Sequence, residues 1–189
     1  MTGLRADDIP PDSALLLVDV QRGFMSEHTD WVPEALGRLL DEHGRRFRLV
    51  VASRFLNTDE CPTRLLLDSH SLSSDEEVEL CPPIPRPGVV VLDKSTYALG
   101  ERLGALLRQH RIGQLFISGV DTHACVLHEA LDAFDRCVRP VVLADLCASG
   151  DGEEAHAAAL SVMRRAIGVH NVWGGDEDAR RLGAGGAGG

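Results

Sequence analysis

Short apolar runs alternate along this chain with longer segments whose apolar positions recur every three or four residues. Residues 14–20 are apolar except for Asp19. A run without in-and-out alternation suits a strand covered on both faces. Residues 49–53, 89–93, 115–118 and 140–144 repeat the pattern, and residues 169–173 predict a sixth, edge strand. Between them lie helical patterns. Pro33 is pre-set for a first helical turn and predicts a helix over 33–43, ending at Gly44. Further helices are expected over 100–110, 122–135 and 153–167, the last closed by Gly168. On the third of these, Val126, Leu127, Ala130 and either Ala133 or Phe134 form the inner face. Residues 55–87 carry Pro62, Pro82, Pro83 and Pro85 and a polar cluster at 71–77, which predicts loop with a short helix or two. A long loop in a compact domain is usually a ligand-facing element.

Strands alternating with helices imply an α/β fold. The expectation is a single three-layer, Rossmann-like domain: a mostly parallel six-stranded sheet with helices on both faces. Residues 1–12, with Pro10 and Pro11, read as an N-terminal arm, 13–175 as the domain, and 176–189 as a flexible Gly/Ala-rich tail.

Composition narrows the partners. A chain of 189 residues that is 44% apolar suits one core. Nineteen Lys and Arg against 29 Asp and Glu give a net charge of −10, whereas a phosphate backbone needs clustered cations. Nucleic acid is therefore not an expected partner, and a small-molecule substrate is. The five cysteines, Cys61, Cys81, Cys125, Cys137 and Cys147, form no C-x-x-C pair, so neither a redox dithiol nor a zinc ribbon is indicated. Their odd number, and an N-terminus without a basic-then-apolar leader, predict a cytoplasmic protein with reduced thiols. No apolar run approaches the ~20 residues that span a bilayer, so no membrane partner is expected.

Ligands of open α/β sheets bind beyond the carboxyl ends of the strands. Asp19 ends the first predicted strand, Asp93-Lys94 the third, and Ser118-Gly119-Val120-Asp121-Thr122 follows the fourth, with Cys125 in the next helical turn. An acid, a cation and a thiol thus converge on one sheet edge. The thiolate is the reactive form of cysteine, and a helix N-terminus is expected to lower the thiol pKa. Asp19 suits a proton acceptor that later returns its proton to a leaving amine. Lys94 suits a counter-charge for Asp19. N–H groups around Gly119 suit an oxyanion.

These residues also resemble a known family. Leu-Leu-Val-Asp19-Val-Gln21-Arg-Gly-Phe24 is similar to the opening signature of the isochorismatase-like hydrolases, and Asp93-Lys94-Ser-Thr-Tyr97 to their second motif. Ser118 to Val126, followed by Ala130-Leu-Asp132-Ala133, resembles their nucleophile segment, and Pro140 to Asp145 with Ala148-Ser149 resembles the strand after it. The resemblance implies a Cys125–Asp19–Lys94 triad that opens an amide or related C–N bond through a thioester. It implies a cis peptide between Val120 and Asp121 that aims the N–H groups of Asp121 and Cys125 at the oxyanion. Gln21, Phe24, Tyr97 and His123 are the candidate pocket residues; His123, two before Cys125, departs from the acid or small polar group common in related sequences and faces either the pocket or a neighbouring subunit. The resemblance also implies a homo-oligomer, dimer or tetramer. The Ala-rich last helix offers a close-packing face in Ala155, Ala158, Ala159 and Ala166.

No cofactor is expected. Nicotinamidases of this family bind a metal through an Asp-x-His pair and a further His. Asp68-Ser69-His70 supplies the pair, but residues 71–87 contain no second His, so the metal ligands come out as none. Two other readings stand beside the amidase. Isochorismatase-type vinyl ether hydrolysis needs acid catalysis by Asp19 and no thiol. A catalytically silent binding or assembly module needs none of the three.

Overall fold

The computed structural model describes residues 4–175; the tail expected at 176–189 lies outside the described residues. Strand β1 (Ser13–Val18) is followed by helix α1 (Val32–His43), β2 (Leu49–Phe55), the short helices α2 (Pro62–Leu67) and α3 (Asp75–Val78), and β3 (Val89–Lys94). Then come α4 (Glu101–Gln109), β4 (Gln114–Val120), a π-helical turn at Thr122–Val126, α5 (Leu127–Asp135), β5 (Arg139–Ala148), α6 (Glu153–Ala166) and β6 (Val172–Trp173).

All six strands are parallel, in the order β3-β2-β1-β4-β5-β6. β1 is buried throughout because both of its faces are covered. Leu15 and Leu17 pack with Leu36 and Leu39 of α1; Ala14, Leu16 and Val18 pack with Leu103 and Leu107 of α4, Ala130 of α5 and Leu160 of α6. Leu4 and Ile9 of the arm bury in the α1 layer. Among the described residues no helix is long and apolar enough to cross a membrane.

Several local expectations change. β1 stops at Val18, and Asp19 turns out of the sheet with φ 48°. β3, which reads as a buried run, is the second sheet edge, leaving Val90 and Val91 about two-fifths exposed. Edge position is a property of strand order, which no local pattern encodes. β5 runs four residues beyond Ala144, with its register to β4 shifting between Ile117 and Gly119. On α5 the inner residue is Ala133, while Phe134 is exposed.

Candidate active site

The strand order reverses direction between β1 and β4, and the crevice at such a switch point is where open α/β sheets bind ligands. Asp19 leaves β1 there. Its carboxylate is fully buried and held from β2: the Ser53 hydroxyl donates to Oδ1 at 2.6 Å and accepts from the Asp19 N–H at 3.1 Å. Lys94 reaches in from the end of β3. Its Nζ lies 2.7 Å from Asp19 Oδ2 and donates to the Tyr97 carbonyl at 2.5 Å. Burial works against the ammonium, but Asp19 and then Cys125 outweigh it, and the Lys94 pKa rises.

Cys125 stands in the π-helical turn after β4, 4% exposed. Asp19 and Lys94 both act on its thiol. The sequence reading expects a helix N-terminus to lower the Cys125 pKa. In the structure burial, and then the Asp19 charge, push it well above the ordinary value, and Lys94 recovers only part. Desolvation of a whole thiolate outweighs a terminal dipole, so the resting thiol is protonated.

The turn that carries Cys125 is shaped by its surroundings. Gly119 has φ 119°, and a Cβ there would lie 2.2 Å from the Val18 carbonyl oxygen, so only glycine lets β4 approach β1 this closely. The Val120–Asp121 peptide is cis. Asp121 Oδ1 accepts from the Gly150 N–H at 2.6 Å, and burial raises the Asp121 pKa despite that bond.

In front of Cys125 lies a cavity of about 220 Å³. Phe24, Phe55, Leu72 and Tyr97 give it apolar walls, Thr63, Ser69, Ser71 and Asn57 a polar one, and Asp121, Ala124 and Cys125 its floor. Asn57 organises the polar wall by donating to the Ser69 and Ser71 carbonyls at 2.9 and 2.8 Å. A larger depression of about 390 Å³, lined by His28, Trp31 and His156 among others, contains none of Asp19, Lys94 and Cys125. Cys125 lines the smaller cavity, which is therefore the candidate site, while Lys94 also borders a separate depression beside Leu99 and Arg102.

Phe24 and Tyr97 stand where the sequence reading puts them, in the cavity wall. Gln21 and His123 do not. Gln21 is fully buried, and its amide ties the end of β2 to the α3 segment. It donates to the carbonyls of Phe55 and Val78 at 2.9 and 3.1 Å and accepts from the Phe55 N–H at 2.7 Å. His123 turns from the cavity toward the β5–α6 loop, with Nδ1 2.6 Å from Ser149 Oγ and Nε2 3.4 Å from Asp151. Ser53 and the fully buried Glu129 are not singled out by the sequence reading, although each left a signal there: a hydroxyl closing an apolar strand, and an acid four residues after Cys125 on the same helix face.

Asp68 and His70 do not suit a metal. Their side chains are 97% and 69% exposed, and the Arg64 guanidinium bonds to His70 Nδ1. Among the described residues no group of three His, Cys, Asp or Glu side chains gathers in a metal-binding arrangement.

The sequence profile of the isochorismatase domain matches residues 13–171. The uncharacterized isochorismatase family protein PncA of Bacillus subtilis is 28% identical, over 82% of this chain and 96% of that protein. Among solved structures, nicotinamidase PncA from Bacillus subtilis superposes with a TM-score of 0.75 at 24% identity, covering 86% of this chain and 99% of that one. The pyrazinamidase of Pyrococcus horikoshii in complex with zinc gives a TM-score of 0.71 at 22% identity, covering 86% and 98%. At these identities the two structures share the fold.

Proposed function

The chain belongs to the isochorismatase family, a family of hydrolases, and from that premise we propose that it hydrolyses a small neutral primary amide through a thioester on Cys125. The observation that carries this reading is the sealed Asp19–Lys94 ion pair, 2.7 Å across, acting on a protonated thiol at the floor of a cavity.

A protonated thiol needs a base at the moment of attack. Asp19 takes the Cys125 proton as sulfur bonds to the carbonyl carbon, and Lys94 balances the thiolate charge as it forms. The N–H groups of Asp121 and Cys125 receive the oxyanion. On collapse the C–N bond breaks, and Asp19 gives its proton to the departing nitrogen, which leaves as ammonia. Water then attacks the thioester and passes a proton to Asp19. The C–S bond breaks, the carboxylic acid leaves, and the proton returns to sulfur.

The cavity lining favours a neutral acyl part with a flat or apolar body. Aromatic and aliphatic side chains dominate one wall and hydroxyls with an amide the other, and among the described residues that line it there is no Lys or Arg to meet a substrate carboxylate. Relatives named for nicotinamidase and pyrazinamidase activity support a heteroaromatic carboxamide. The exposed Asp68–His70 pair supports a metal-independent reaction, which chelator treatment of active protein tests: activity is retained, and a loss restored by zinc, iron or manganese overturns it.

Cys125→Ala and Cys125→Ser are expected to lower turnover at least about 10³-fold, because the covalent route is gone, with an unchanged circular dichroism spectrum. A panel of neutral and carboxylate-bearing amides, with mass spectrometry of rapidly quenched protein, reads the acyl group on Cys125. Full activity in Cys125→Ser ends the thiol mechanism.

A further inference from the structure

Glu129 is a buried acid that the reaction above does not use. It lies on α5 four residues after Cys125, so it occupies the same helix face one turn further on. It is fully buried. Oε1 accepts the Leu99 N–H at 2.8 Å, and among the described residues Oε2 has no hydrogen-bond partner. A carboxyl oxygen left without a partner in the interior is unfavourable, and an aliphatic side chain would fill the space without that penalty.

The Leu99 bond acts on the triad through the backbone. Leu99 is two residues after Tyr97, whose carbonyl holds Lys94 Nζ, and Lys94 in turn faces Asp19. The charged groups that act on the Glu129 carboxyl are Lys94 from β3, Asp19 from the turn after β1 and Asp132 from its own helix.

We propose that Glu129 is a positioning residue of the active site: one oxygen fixes the backbone that cradles Lys94, and the buried carboxyl governs how much of the Lys94 charge is left for Asp19 and the Cys125 thiolate. The inference rests on the hydrolase reading given above. Its electrostatic part has a direction. Burial pushes the Glu129 carboxyl up to about 8, with Lys94 only partly opposing. Below that pH the charges of Asp19 and Lys94 balance. Above it a second carboxylate competes for Lys94, and thiolate formation on Cys125 becomes harder.

The test compares wild type, Glu129→Gln and Glu129→Ala from pH 6 to 9.5, using kcat and KM on a neutral aromatic primary amide and the rate of Cys125 alkylation by iodoacetamide. Glu129→Gln keeps an acceptor for Leu99 and cannot ionise. It is expected to match wild type within about twofold at pH 7, and above pH 8 to keep a kcat/KM that wild type loses, by about tenfold for each unit by which the thiol shifts. Alkylation should show the same divergence, with Glu129→Gln the faster above pH 8. Glu129→Ala loses the Leu99 anchor, and kcat should fall about tenfold at every pH with KM nearly unchanged, as for a barrier raised by one pKa unit's worth of support.

Superimposed pH profiles for wild type and Glu129→Gln overturn the electrostatic role, and a wild-type kcat in Glu129→Ala overturns the anchoring role. If Glu129→Ala does not fold, the Glu129→Gln profile decides. If no amide is turned over, or Cys125→Ser stays active, it is the hydrolase reading that has failed. The alkylation profiles then judge Glu129 alone, and their identity in wild type and Glu129→Gln overturns the proposal.

Discussion

A carboxylate and an ammonium packed out of water are each unstable alone, and beside the Cys125 thiol they compensate one another. Removing one member therefore exposes what it offset. Lys94→Met keeps the aliphatic length and leaves the Asp19 carboxylate buried without its counter-charge, a change that typically costs about 3–5 kcal/mol. We expect kcat/KM to fall by about 10²-fold or more and the melting temperature to drop, since each ~1.4 kcal/mol is tenfold in rate. Near-normal kcat/KM would withdraw Lys94 from the mechanism. Glu129 makes a second residue-scale prediction, about stability. Its carboxyl has an ordinary value of 4.5 and is raised to about 8 in the fold. Below 4.5 it is protonated in both folded and unfolded chains, and its contribution is fully present. As pH climbs toward 8 the unfolded chain ionises while the folded one holds its proton, so that contribution is lost. Wild type should lose melting temperature between pH 5 and 8 relative to Glu129→Gln; parallel curves would show that Glu129 ionises in both states alike.

At the scale of elements, the nucleophile depends on how closely β4 approaches β1. Gly119 pairs with Val18 in the register of the two strands, and at φ 119° it has no room for a methyl group against backbone atoms that cannot move aside. Gly119→Ala should destabilise the protein by roughly 2–5 kcal/mol, combining backbone strain with overpacking. A melting temperature within a degree of wild type would show that the strand pair can part. The segment 55–87 is positioned by its own polar network as much as by helix. Asn57 bonds to Ser69 and Ser71, Thr63 bonds to Asn57, and the Ser74–Glu77 capping box starts α3.

At the scale of the molecule, α2 and α6 leave apolar surface uncovered among the described residues. α2 exposes Leu65, Leu66 and Leu67 by about two-thirds or more, and α6 exposes Val162 between Ala158 and Ala166 at four-residue spacing. The alanine face expected from the sequence divides here, because Ala159 points into the core. We propose that the chain is a homo-oligomer, dimer or tetramer, since closed symmetric assemblies bury such surfaces. Light scattering at micromolar concentration should give a multiple of 20.4 kDa, and Val162→Glu should lower it if α6 is the contact. A monomeric mass for wild type ends this proposal.

The alternation of apolar runs with amphipathic segments determined the α/β architecture, because buried parallel strands and their covering helices leave different periodicities in the chain. The same pattern placed Asp19, Lys94 and Cys125 near the carboxyl ends of strands, since strand ends are local features. Strand order was decided only by tertiary structure, and with it the exposure of β3. So were the partners of side chains far apart in sequence: Ser53 on Asp19 and Gln21 on Phe55, each 34 residues away, and Glu129 on Leu99, 30 away. His123 was legible as a departure beside the nucleophile, but its direction was set by Ser149 and Asp151 across the β5–α6 loop. The ionisation of Cys125 also belongs to the fold. Sequence shows that a thiol opens a helical turn, whereas burial to 4% exposure, which reverses the expected shift, comes from β1, β3 and β4 closing around it. Desolvation depends on everything within several ångströms in space, and no window along the chain contains it.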